Sequence, residues 1–88
     1  MGVEESLPPS KLLRLYVATE ADPSILPRLL GYFQNLNVTP RKVVAEFGAR
    51  DLMHLTIDVC GLAEEPLSRI VGKIGQAVPV ECVYWHYL

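Results

Sequence analysis

The feature that most constrains the fold of this chain is a run of strict alternation between residues 53 and 59. Apolar residues hold the odd positions and polar residues the even ones: Met53, Leu55, Ile57 and Val59 against His54, Thr56 and Asp58. Successive side chains of a β-strand point to opposite faces of a sheet, so this run predicts a strand with one face on a core. A sheet of such strands needs a covering layer on one side only.

Three other segments predict strands of the same kind. Leu13, Leu15 and Val17 alternate with Arg14, Tyr16 and Ala18, and Val43, Ala45 and Phe47 alternate with Lys42, Val44 and Glu46. Pro40, just before the second of these segments, indicates an edge strand or a strand beginning. The last segment, residues 80–87, is rich in β-branched and aromatic residues, which favour strands. The turn at residues 48–51 reverses the chain between strands two and three.

An amphipathic helix follows the first strand. Its apolar positions recur at spacings of three and four: Ile25, Leu26, Leu29, Leu30 and Phe33. Pro27 fits this helix only within the first turn, where its missing amide is not needed, so the helix should begin at Ser24 or Ile25. Asn35 and Asn37 indicate its end, since asparagine tolerates a left-handed backbone.

A second helix opens with Glu64, Glu65 and Pro66, which suit a first turn. Its inward stripe is Leu67, Ile70, Val71 and Ile74. The element order is therefore βαββαβ. With right-handed crossovers and a hairpin between strands two and three, this order predicts an α+β, ferredoxin-like sandwich: a four-stranded antiparallel sheet with two helices on one face.

Composition limits the class of function. The chain has 88 residues, enough for one domain (residues 11–88) behind a flexible arm at residues 1–10. The net charge of −2 argues against nucleic acid as a partner, and no apolar run is long enough to span a membrane. Cys60 and Cys82 form no disulfide-dense pattern, so we expect a cytoplasmic protein in which both are small core residues.

Four side chains could suggest catalysis or metal binding: His54, His86, Cys60 and Cys82. They lie far apart in the sequence, and metal sites and catalytic dyads need partners at defined spacings. We expect no enzyme activity, metal or cofactor. RNA-recognition modules share the predicted fold, but their third strand carries basic and aromatic residues where this chain has His54, Thr56 and Asp58.

The segment DPSILPRLLGYFQNLNV, residues 22–38, resembles the signature of ACT domains, in which a strand and a turn lead into a helix of the type GVLxRLxGxF. Arg28, Gly31 and Phe33 fall in register with that signature. From about Leu13 to Val83 the sequence is most similar to the ACT domain of the regulatory small subunits of acetohydroxyacid synthase. The resemblance implies an ACT-like fold and a regulatory function.

The resemblance also implies a ligand site, because ACT domains pair and bind a small amino acid between the turn before helix one of one copy and the start of strand two of the other. The residues of this chain at those places are Ala21, Asp22, Pro23, Ser24, Ile25, Leu26, Val38 and Thr39. A helix N-terminus suits a carboxylate. Three positions depart from the pattern: Ala21 and Thr39 replace asparagine-type residues, and Ser24 replaces the turn glycine. Asp22 adds a charge that would repel a carboxylate.

Two hypotheses follow. In the first, the chain is a homodimer that binds a small amino acid, with valine favoured by the size of the lining, and modulates an amino-acid biosynthetic enzyme. In the second, the chain keeps the ACT-like dimer as an interaction or assembly module without a ligand. In both, strands two and four form the sheet edges, and we expect pairing through strand two. Aromatic residues on both faces of strand four also favour association.

The even-numbered polar residues should share the face of the sheet away from the helices: Arg14, Tyr16, Lys42, Glu46, His54, Thr56 and Asp58. The ordinary interpretation is a solvated face with weak ion pairs. The alternative is a docking surface for a second sheet or a catalytic subunit.

Overall fold

The computed structural model describes residues 11–88 and confirms the predicted order of elements. The predicted arm at residues 1–10 lies outside the described residues. The elements are β1 (Leu12–Glu20), α1 (Ile25–Asn35), β2 (Lys42–Phe47), β3 (Leu52–Cys60), α2 (Glu64–Gln76) and β4 (Val80–Tyr87), with one 3₁₀ turn (Ala49–Asp51) between β2 and β3.

The four strands form one antiparallel sheet in the order β2-β3-β1-β4. This is the ferredoxin-like arrangement that the sequence predicts, with β2 and β4 at the edges. β1 lies in the middle and pairs with β3 along its whole length and with β4 from Leu13 onward. A register irregularity between Ala18 and Thr19 ends the regular β1–β4 pairing. The Thr19 hydroxyl is buried there and donates a hydrogen bond to the Pro79 carbonyl, at 3.0 Å.

The core lies between the sheet and the two helices. The odd-numbered residues of β1 and β3 are buried in it, except for the half-buried Met53. Each helix contributes three fully or almost fully buried side chains: Ile25, Leu29 and Phe33 from α1, and Leu67, Ile70 and Ile74 from α2. Leu26, Leu30 and Val71, which the pattern also assigns to the inward stripes, are half-buried. Burial of each large apolar side chain stabilises the fold by roughly 1.5–3 kcal/mol, so these two stripes hold the helices on the sheet.

Helix α1 begins and ends where the sequence predicts. Its first residue is Ile25, so Pro27 falls in the first turn, where no amide is required. At the C-terminus, Asn37 has a φ of 59°. Its amide donates to the Gln34 carbonyl and the Val38 amide donates to the Phe33 carbonyl, both at 2.9 Å. This pair of bonds is the Schellman motif, which satisfies the last carbonyl groups of a helix.

The face of the sheet opposite the helices, here called the open face, carries three rows of side chains set by the strand register. Taken across the sheet from β2 to β4, they are the first row Lys42–Asp58–Arg14–His86, the middle row Val44–Thr56–Tyr16–Tyr84 and the last row Glu46–His54–Ala18–Cys82. The predicted even-numbered polar residues therefore do lie together. β4 adds Cys82, Tyr84 and His86 to them.

The expectation that both cysteines are small core residues is wrong for Cys82, which is exposed, and Cys60 is only half-buried. The register explains this difference. Cys82 is paired with Ala18 and Cys60 with Leu12, and both positions have the parity of the open face.

Candidate functional site

The turn between β1 and α1 is closed by one of its own side chains. Asp22 Oδ1 accepts a hydrogen bond from the Ser24 amide and another from the Ser24 hydroxyl, both at 2.8 Å. The Ile25 amide donates to the Asp22 carbonyl at 3.1 Å. The amides of Ser24 and Ile25, at the helix N-terminus that would suit a ligand carboxylate, therefore already have acceptors within the chain.

The charge of Asp22 strengthens this closure. The Ser24 amide is the main cause that lowers the pKa of the Asp22 carboxyl, and the Ser24 hydroxyl acts in the same direction. Asp22 is consequently ionised at neutral pH and places a negative charge at the positive end of helix α1. A second carboxylate at this helix end would meet a like charge and would have to displace an existing hydrogen bond.

The other residues assigned to this part of the site differ in their accessibility. Pro23 is exposed and Leu26 is half-buried, whereas Ile25 is fully buried in the core. Ala21 is exposed and lines a separate depression of about 550 Å³ with Glu20, Arg50, Asp51, Leu52 and Glu81.

Val38 and Thr39 lie elsewhere, in a groove between the end of α1 and the start of β2. The groove has a volume of about 430 Å³, and its other lining residues are Leu30, Gln34, Asn37, Pro40 and Val43. Within one chain, the structure thus does not bring Val38 and Thr39 into the same pocket as Ala21. The resemblance places these two halves on different copies, so a complete site would require a dimer.

The groove opens beside the outer edge of β2, which has no strand partner within residues 11–88. The helix side of this strand is not covered. Val43 is 39% exposed and Phe47 is 68% exposed, although both have the parity of the core face. An apolar strip next to an unpaired edge is a common site of strand addition.

The open face contains an ion pair that the alternation alone does not reveal. Arg14 Nε and Nη2 donate to the two carboxylate oxygens of Asp58 at 2.8 and 2.9 Å. Asp58 is only 4% exposed. The Arg14 guanidinium is the main cause that holds the pKa of Asp58 below its usual range, and the same bonds raise the pKa of Arg14. The ordinary interpretation of a loosely paired, solvated face therefore does not hold at this position.

Within the described residues, the strand register does not make neighbours of the four side chains that could suggest catalysis, His54, His86, Cys60 and Cys82. His54 packs against Gly48, where a Cβ atom would lie 2.7 Å from His54 Nε2, so a larger residue at this position would displace the exposed imidazole. Within residues 11–88 no three His, Cys, Asp or Glu side chains are grouped so that they could hold a metal ion. None of the helices in this part of the chain is long and apolar enough to cross a membrane.

Of the groove, sequence reasoning identified Val38 and Thr39 but missed the other lining residues, and it also missed the Arg14–Asp58 pair. Leu30 has the spacing of the helix stripe and Val43 has the parity of the core face, but how far the helices extend over β2 leaves Leu30 half-buried and Val43 exposed. Arg14 and Asp58 share a parity, but only the β1–β3 register makes them direct neighbours. Periodicity predicts parity and does not predict register.

No protein-family model matches the sequence, and a search of curated proteins found no match to it. Solved structures are similar in fold. The C-terminal domain of the MgtC protein from Mycobacterium tuberculosis is 16% identical with a TM-score of 0.81, over 90% of this chain and 88% of that chain. The ACT domain from GTP pyrophosphokinase of Chlorobium tepidum is 12% identical with a TM-score of 0.71, over 88% of this chain and 99% of that chain.

A putative glycine cleavage system transcriptional repressor is also similar, with 11% identity and a TM-score of 0.71, over 92% of this chain and 48% of that chain. At these identities the similarity shows the fold alone. The chain has an ACT-like, ferredoxin-type βαββαβ fold.

The Arg14–Asp58 pair generates a prediction about stability. Arg14→Met should lower the free energy of unfolding at pH 7 more than Asp58→Asn does, because it leaves a buried carboxylate without a partner. Asp58→Asn leaves Arg14, whose side chain is 28% exposed and can be hydrated. Urea unfolding of both variants measures the difference.

The pH dependence of that difference follows from the lowered pKa of Asp58. The pair stabilises the fold above the unfolded pKa of about 3.9, and this contribution is lost as the pH falls through the folded pKa. The difference in the free energy of unfolding between wild type and Arg14→Met should narrow as the pH falls from 7 to about 3.5, since protonation of Asp58 removes the unpaired charge in the variant. A gap of constant size, or a larger effect of Asp58→Asn, would contradict this account.

Proposed function

We propose that this chain is a non-catalytic, ACT-like regulatory module that pairs with a second copy along β2 and acts on a partner enzyme through that assembly. The observation that carries the proposal is the exposed apolar strip of Val43 and Phe47 beside the unpaired edge of β2. Two antiparallel β2 strands would extend the sheet across the dimer and cover this strip.

The closure of the β1–α1 turn favours assembly without a carboxylate effector. Asp22 already occupies the Ser24 amide and adds a negative charge beside it. An incoming α-carboxylate would have to replace that intramolecular bond, and the exchange brings little net free energy. Of the two hypotheses from the sequence, the assembly module is therefore the first candidate.

The second candidate is an amino-acid sensor, and the groove beside β2 supports it. Leu30, Val38 and Val43 give the groove apolar walls, and Thr39 supplies a hydroxyl. In this candidate a small aliphatic amino acid such as valine binds across the dimer. Its ammonium group lies near Thr39 of one copy, and its carboxylate reaches the Ser24 region of the other.

The class of partner comes from the sequence resemblance. It is an amino-acid biosynthetic enzyme, as the similarity to regulatory subunits of acetohydroxyacid synthase implies. The regulatory type of function is supported by the ACT domain of GTP pyrophosphokinase and the glycine cleavage repressor among the similar structures. A cytoplasmic location is consistent with such a partner.

Pairing through β2 predicts the effect of charge on the exposed strip. Val43→Lys combined with Phe47→Lys should convert a dimer into a monomer in sedimentation equilibrium at micromolar concentration, because two lysines on each edge would repel. Val78→Lys is the matched control, since Val78 is 96% exposed and lies ahead of β4. A wild-type chain that sediments only as a monomer, or a dimer that survives both lysines, would refute pairing through β2.

The ligand question has its own test. Calorimetric titration of the wild-type chain with valine, leucine, isoleucine, glycine, serine and threonine at millimolar concentration should give no binding heat if the module works by assembly. A sensor would gain about 2.7 kcal/mol of stability at a ligand concentration of a hundred times Kd, which a thermal melt detects. Heat with valine that Ser24→Leu abolishes, without loss of the dimer, would establish the sensor instead.

A further inference from the structure

The two ends of the open face differ in the sign of their charge. The first row carries Lys42 and Arg14, and Arg14 also holds the buried Asp58. The last row carries Glu46, and Glu20 follows two positions beyond Ala18 on β1. One end of the face is therefore basic at its surface and the other acidic. Nothing within residues 11–88 covers the exposed Lys42 and Glu46.

This polarity makes the face complementary to itself under one symmetry operation. The operation is a two-fold axis that lies over the middle row, parallel to the sheet and perpendicular to the strands. In the second copy that it generates, each strand lies opposite its own equivalent and runs in the opposite direction. The first row of one copy then lies opposite the last row of the other, and each middle-row residue lies opposite its own equivalent. Closed two-fold pairing of this kind is the commonest symmetry of oligomers.

The residues that this operation brings together match in charge. Lys42 lies opposite Glu46 of the second copy. This pair occurs twice because of the symmetry. A rotation about an axis along the strands, over the centre of the sheet, would instead place Lys42 opposite His86 and Glu46 opposite Cys82. Arg14 and Asp58, which would then face each other, are already paired within each copy, so the charges on β2 favour the first arrangement.

The same residues match in size. Arg14 lies opposite Ala18 of the second copy, and His86 lies opposite Cys82, so at these two places a large side chain faces a small one. In the middle row, Tyr16 and Tyr84 lie opposite their own equivalents. Packed sheets are about 10 Å apart, a gap that side chains fill by interdigitation.

Contacts between neighbouring side chains order the central part of the face. Tyr16 stacks on Tyr84, with ring centroids 5.0 Å apart, and on His86 at 5.7 Å. Tyr84 is nevertheless 56% exposed. The bidentate bond to Asp58 likewise fixes Arg14. Side chains that are already ordered lose little entropy on association.

We propose that the open face of this chain docks against the open face of a second copy, with strands antiparallel across the interface and Lys42 paired with Glu46. This contact is distinct from pairing along β2 and does not depend on it. Strand spacing and length give a footprint on the order of 500 Å² per copy. Standard interfaces bury about 800 Å² per partner, so the association is weak and depends on concentration and salt.

The test is sedimentation equilibrium of the full chain between about 10 and 500 µM at low salt. Lys42→Glu and Glu46→Lys should each weaken self-association at least tenfold, and the double charge-swapped variant should restore it. Ala18→Arg should weaken it as strongly, because it opposes Arg14 of the second copy. Ser68→Arg, at an exposed position of α2, is the matched control and should leave the association constant unchanged.

Ala18 separates the two contacts, because β1 lies two strands in from the β2 edge. If the charge swap restores association but Ala18→Arg has no effect, then Lys42 and Glu46 pair along the β2 edge. That outcome overturns the face-to-face contact. It is also overturned if none of the variants changes the association constant or if the wild type shows only one species over the whole range. Thermal melts of every variant exclude loss of folding as the cause.

Discussion

The alternation along β1 is the constraint on which the rest of this structure depends. β1 is bonded to strands on both sides, so its parity decides which residues of β3 and β4 share each face. Leu13, Leu15 and Val17 place the odd side in the core, and the helices cover that side alone. A shift of one residue in register would exchange the two faces and bury Arg14 beneath the helices.

A sheet covered on one side leaves this small domain with surfaces for recognition and little enclosed volume. The helix end that could hold a carboxylate is closed by Asp22, and the groove beside β2 is open on its outer side. What remains exposed is a strand edge with Val43 and Phe47 and a polar face with a rigid aromatic cluster. Both are shaped for flat, extended partners such as strands or sheets. The proposed function therefore places regulation in association.

Local patterns predict much of this fold. The alternation at residues 53–59 and the helical spacing from Ile25 to Phe33 place the elements to within a residue or two. Asn37 marks the end of α1 because its left-handed backbone is a local requirement. The order βαββαβ then restricts the topology, since short right-handed crossovers leave few alternatives.

The candidate site is less predictable because its properties depend on the register between strands and on how much of the sheet the helices cover. The Arg14–Asp58 pair needs the β1–β3 register, and the exposure of Cys82 needs the β1–β4 register. Phe47 has the parity of a core residue, yet the helices do not reach it. The closure by Asp22 depends on the rotamer of a turn residue, although its charge beside the expected carboxylate site is visible in the sequence.

The central claim is that the chain associates through its sheet without an effector, and hydrogen exchange of the β2 amides tests it most directly. The exchange rates would be measured at about 5 and 500 µM in the absence of amino acids, since protection of backbone amides reports strand pairing. The account predicts that the amides on the outer side of β2 exchange more slowly at the higher concentration, while those of α2 do not change. Exchange of the β2 amides that is independent of protein concentration would contradict it, whether or not an added amino acid slows that exchange.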